Sequence, residues 1–136
     1  VSEAERQIEY YLAKHDFHDG ESAFFGLLEL KSATVQLLIE QFEREQDGER
    51  RSLLLEVIWQ RRDPQAIPFL AKALQDVEPA IWKIALDGLV ALASPEALFA
   101  VKRVRQAPCE AEFTAWLDEA IEQIEAALAA TPRTTS

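Results

Sequence analysis

The sequence predicts an all-α protein, a right-handed α-solenoid of antiparallel helix pairs with about seven to eight helices. Three observations lead there. Almost every segment spaces its apolar residues at the helical period. Four glycines in 136 residues leave too few turn signals for a many-stranded β fold. The helix pairs also repeat along the chain, which distinguishes a solenoid from a simple bundle. With 49% hydrophobic residues the chain has a core to bury.

The elements follow in order. Ala4, Ile8, Tyr11, Leu12 and His15 form the apolar stripe of a first helix, which ends at Asp16-Phe17-His18-Asp19-Gly20. A short apolar helix carries Phe24, Phe25, Leu27 and Leu28 from Ser22 to about Leu30. Ser32 is the expected cap of a third helix bearing Val35, Leu38, Ile39 and Phe42, which stops near Asp47-Gly48. The helix over 49–62 presents Leu54, Val57, Ile58 and Arg61 on one side. Asp63-Pro64 opens the next, because Asp caps and Pro is tolerated in a first turn. Its stripe is Ile67, Leu70 and Leu74. Pro79 opens a helix to Ala93, and Ser94-Pro95 opens another with Leu98, Val101 and Val104. After Pro108 a final helix runs from Ala111 to about Ala130, and residues 131–136 read as a disordered polar tail.

The repeat is visible residue by residue. Asp63-Pro64 recurs as Ser94-Pro95, Ile67-Leu70-Leu74 as Leu98-Val101-Arg105, and Leu54-Val57-Ile58 as Ala85-Gly88-Leu89. One inserted residue carries Ile81, Ile84, Ala85, Gly88, Leu89 and Leu92 onto Phe113, Trp116, Leu117, Ala120, Ile121 and Ile124. The pairs are 33–62, 63–93 and 94–130, with 1–31 as a degenerate N-terminal repeat, all within one domain over 1–130. Leu55 and Trp59 correspond to Leu86 and Val90, but to Asp118 and Glu122 in the last repeat. An apolar flank that becomes charged reads as a C-terminal cap. Leu55 and Trp59 are therefore expected to be buried against the following pair, with Asp118 and Glu122 exposed.

Asp63-Pro64-Gln65-Ala66-Ile67-Pro68-Phe69-Leu70, then Ala73-Leu74-Gln75-Asp76, then Ala85-Leu86-Asp87-Gly88-Leu89 resemble HEAT repeats over roughly residues 33–128. The resemblance implies an α-solenoid and, commonly, a protein-binding scaffold. One departure is Trp82, where many HEAT repeats carry Arg, so the usual Asp–Arg ladder is incomplete.

The charge balance is 14 Lys and Arg against 24 Asp and Glu, a net −10. Such a field repels nucleic acid and anionic membrane and attracts a basic partner. The N-terminal segment lacks an export signal and no apolar run reaches membrane-spanning length, so the expected location is cytoplasmic. Cys109 is alone and has no cationic neighbour in sequence, which marks an inert thiol rather than a nucleophile. His15, Asp16, His18, Asp19 and Glu21 form the only cluster with metal-ligand chemistry, but Asp19-Gly20 is ordinary helix-ending sequence. Neither metal nor cofactor is expected. Glycine elbows, phosphate loops and nucleophile–histidine arrangements are missing, so the chain reads as no enzyme.

Binding is the remaining class. Glu56, Asp87 and Glu119 occupy the same position of successive second helices, opposite the core stripe, and are expected to form a ladder of carboxylates. Trp82 has polar counterparts, Arg51 and Thr114, which suggest exposure and leave both packing and partner contact open. Lys83 beside it joins the candidate contacts. Trp59 and Trp116 fall on packing positions. Lys102, Arg103 and Arg105 form a basic run that complements its own helix end. The function expected is a protein-binding module for a basic protein, in its sharper form an immunity or antitoxin protein occluding a toxin's active site. The alternatives are a scaffold or structural subunit and, further off, an enzyme built on HEAT repeats.

Overall fold

The computed structural model describes residues 2–130, so the tail over 131–136 lies outside the described residues. Among them there are eight α-helices and no strand: α1 Glu3–Asp16, α2 Gly20–Glu29, α3 Val35–Arg44, α4 Gly48–Gln60, α5 Ile67–Ala73, α6 Pro79–Leu92, α7 Pro95–Arg105 and α8 Ala111–Ala130. A 3₁₀ turn over Pro64–Ala66 precedes α5. The helices group into two compact units, Val1–Ala66 and Ile67–Ser136.

In the first unit α1 packs on α2 and α3 on α4, while α2 lies against α4. Ser2 caps α1 by accepting from the Glu5 N–H, and Thr34 caps α3 by accepting from the Leu37 N–H. The cap of α3 is thus Thr34 rather than Ser32, whose hydroxyl donates to Gln7 Oε1 at 2.6 Å instead. Ile8, Leu12, Leu27, Leu38, Leu54 and Ile58 are fully buried between these helices. Leu55 is fully buried as well, and Trp59 is partly buried. Its indole N–H donates to the Glu56 carboxylate, so the polar edge of the ring is held at the surface.

Two arginines of α4 tie down the first helix pair. The Arg61 guanidinium donates to the Leu27 carbonyl (2.7 Å), the Leu30 carbonyl (2.8 Å) and the Ala33 carbonyl. It adds charged donors at the end of α2, where the Leu27 and Leu30 carbonyls otherwise accept only the Leu30 N–H at 3.4 Å and the Ala33 N–H at 3.2 Å. Burial pulls its pKa below the ordinary arginine value, and the carbonyls compensate by surrounding the charge. Arg50 pairs with Asp16, with Glu9 at 3.1 Å and with Glu45 at 3.6 Å. These bonds hold the Asp16 carboxyl below its usual range. One carboxylate of that cluster, Asp16, is therefore an arginine partner. Among the described residues no group of three or more His, Cys, Asp and Glu is arranged to hold a metal.

The α1–α2 approach depends on one glycine. A Cβ at Gly26 would run into the Tyr11 ring of α1. Gly26→Ala gains helix propensity, but the ring must be pushed out of place. A net loss of about 1–2 kcal/mol is expected. Urea denaturation measures it, and an unchanged or raised midpoint would show that Tyr11 swings aside freely.

In the second unit α5 pairs with α6 and α7 with α8, and α5 also lies beside α7 and α6 beside α8. This gives two layers, α5/α7 and α6/α8, the neighbour-on-neighbour stacking of a solenoid. Leu70, Leu74, Ile81, Leu89 and Leu117 fill the space between them. Ala93 closes α6 in the left-handed conformation (φ 43°), and Ser94 at once caps α7 through the Ala97 N–H at 3.0 Å. The turn between the layers is thereby reduced to two residues. Asp118 and Glu122 are exposed.

Candidate partner-binding face

The α6/α8 layer carries four of the five candidate contacts. Lys83 and Asp87 stand one turn apart on α6, and Glu119 lies on α8. Trp82 is buried, only 9% exposed, because α8 supplies rings against it: Phe113 at 4.8 Å and Trp116 at 5.8 Å between centroids, both edge-to-face. Packing accounts for Trp82, which corrects the exposure suggested by its polar counterparts. The ring that reaches the surface is Trp116, 37% exposed, though the apolar stripe places it in the core.

Lys83 organises this surface. Its ammonium lies 5.1 Å from the Trp116 ring centre and 5.5 Å from that of Trp82, and it pairs with Glu112 at 3.8 Å. A cation held over two rings and beside a carboxylate is fixed in place, and its charge is already answered. These contacts set the register of α6 against α8. Asp87 follows Lys83 one turn further along α6. Asp87 is open to solvent, yet partial desolvation pushes its carboxyl above the ordinary range. Glu119 is exposed and accepts from the Gln123 amide at 3.3 Å. Glu56, in the first unit, is half-buried and accepts from Trp59 Nε1 and Gln60 Nε2, both at 3.1 Å.

The remaining acids of α8 divide by partner. Arg105 donates to Asp118 at 2.7 Å and Lys102 pairs with Glu125 at 3.3 Å. Two of the three cations in the basic run of α7, Lys102 and Arg105, are therefore spent on its own partner helix. That pairing removes two acids from the acidic stretch, and periodicity alone did not show it. Cys109 is half-buried, and its thiol lies 3.1 Å from the Ala107 carbonyl.

A family model described as HEAT repeats matches residues 35–122. The chain belongs to the HEAT-repeat family. Its α5/α7 and α6/α8 layers are the two layers that HEAT helix pairs build, and Trp82 with its ring partners stands where the resemblance led to an arginine. HEAT repeats are helical modules of protein interaction. Searches of curated proteins and of solved structures found no match. No helix among the described residues is long and apolar enough to cross a membrane.

Proposed function

We propose that this HEAT-repeat chain is a non-catalytic binding module that recognises a basic protein through the α6/α8 face. The observation that carries the reading is Asp87, a partly desolvated carboxylate one turn along α6 from Lys83, whose ammonium lies over the exposed Trp116 ring. A partly desolvated carboxylate is relieved by a cation, and a Trp rim supplies the apolar contact that makes such an encounter specific. Lys83 is already occupied by Glu112 and the rings, so it shapes the face rather than repelling the partner. Glu56, in the first unit, is a further acidic candidate. The sharper form is an immunity or antitoxin protein that covers the substrate site of a basic toxin. It is supported by the net charge of −10, which speeds association with a cationic surface. A scaffold subunit is the alternative, in which the partner is part of a larger complex and the charge is incidental.

The test neutralises the ladder with Glu56→Gln, Asp87→Asn and Glu119→Gln together. Proteins captured on the wild-type chain are compared with those captured on the variant, and association rates of the shared ones are measured at two ionic strengths. The partner lost or slowed should be basic, with association roughly tenfold slower at low salt and a flatter salt dependence. Equal rates and equal salt slopes would reduce the ladder to a solvated surface and remove the toxin-neutralising reading.

A further inference from the structure

The opposite layer of the second unit carries a surface of different chemistry. Between α5 and α7 runs an open groove of about 1120 Å³. It exists because Ala71 on α5 and Ala100 on α7 stand where larger side chains would fill the space between two ridges. Phe99, 66% exposed, forms one apolar wall, and Phe113 closes the floor near the α7–α8 turn. Alternation through α6 makes α5 and α7 run the same way, so both helix C-termini lie at one end of the groove.

The charge on the groove is polarised along that axis. Lys72 and Arg103, in the last turns of α5 and α7, line the C-terminal end, and Glu96, in the first turn of α7, lines the other. Lys102 and Arg105 are directed to Glu125 and Asp118 on α8. Arg103 has no ion-pair partner among the described residues and remains available to a ligand. In a chain of net charge −10, an apolar trough with its cations gathered at one end is complementary to an anionic amphiphile, not to the basic partner of the α6/α8 face.

We propose that the α5/α7 groove binds an amphipathic helix of a partner protein, lying antiparallel to α5 and α7 with an acidic first turn over Lys72 and Arg103. The apolar stripe of that helix fills the space above Ala71 and Ala100 and packs on Phe99. Antiparallel placement sets its N-terminal carboxylates against the two cations and its dipole against those of α5 and α7. This is groove recognition of a helix, in which spaced apolar anchors give affinity and the charged end gives direction. The inference is independent of the α6/α8 reading.

The experiment selects binders to the full chain from a display library of random 16-residue helix-forming peptides. The enriched peptides should share apolar residues at spacings of three and four, with Asp or Glu in the first turn. Ala100→Phe, which fills the trough, should weaken the best peptide at least tenfold. Arg103→Glu, at an exposed position, should weaken it similarly and favour the same peptide with Lys in its first turn, which separates recognition from misfolding. The triple variant of Glu56, Asp87 and Glu119 should bind the peptide unchanged. No enrichment, enrichment without an acidic end, or binding indifferent to both Ala100→Phe and Arg103→Glu would overturn the proposal. Saturable binding of dodecanoate in place of any peptide would also overturn it, in favour of a small-molecule amphiphile site.

Discussion

Replacing Arg61 with Met should lower stability by about 3 kcal/mol, one of the largest effects of any single change in the first unit. The methionine keeps much of the aliphatic stem but removes the guanidinium donors to the carbonyls of Leu27, Leu30 and Ala33, leaving Leu27 and Leu30 only the backbone bonds from the Leu30 and Ala33 N–H groups. Leu27 and Ala33 are fully buried residues, so access of water to those oxygens is restricted. A hydrogen bond to a charged donor contributes about 1.5–3 kcal/mol, and the acceptors left short of donors add their own desolvation cost. Arg61→Lys should recover only part of the loss, because one ammonium cannot reproduce the planar fork that spans three carbonyls. Urea denaturation followed by far-ultraviolet circular dichroism measures both. A Met variant with the wild-type midpoint would show that solvent replaces the guanidinium without penalty.

Leu55→Ala should cost about 2–4 kcal/mol. Leu55 is fully buried, and it sits on the side of α4 that the repeat pattern assigns to packing. Deleting most of its side chain removes transfer free energy and leaves a cavity that neighbouring helices fill only in part. Asp118, its counterpart in the last repeat, is exposed and bonded to Arg105, so Asp118→Ala should change stability by well under 1 kcal/mol. The contrast between equivalent positions is the informative measurement. A cost for Leu55→Ala no larger than that for Asp118→Ala would contradict the burial assignment.

The helices were legible because periodicity and caps agree. Pro79, Ser94-Pro95 and the break at Pro108 mark starts that the structure keeps, and α8 spans Ala111–Ala130 as its stripe implies. Ser32 misled because two hydroxyls lie close together and both suit a cap. A tertiary bond to Gln7 takes Ser32 and leaves the cap to Thr34. Trp116 sits at the edge of its stripe, where its counterpart Ile84 is half-buried, and the larger ring extends into solvent. Trp82 was open to either reading because its burial comes from rings more than thirty residues away, Phe113 and Trp116. Partners on other helices likewise hide the roles of Arg61 and Arg105: a helical period shows which side of a helix a residue occupies, never which atoms lie opposite. The one available signal for Arg61 was a cation placed within an apolar stripe, which requires buried acceptors to meet it.

The Arg61 clamp also bears on modularity. Repeat proteins are commonly regarded as interchangeable units that can be trimmed or grafted one pair at a time. Here the first pair does not own a closed set of backbone partners, since the donors that complete α2 come from a residue about thirty positions later. Arg50 binds α1 from that same helix. The smallest separable piece at this end of the chain is therefore four helices, and a boundary drawn between α2 and α3 would cut through one hydrogen-bonded whole.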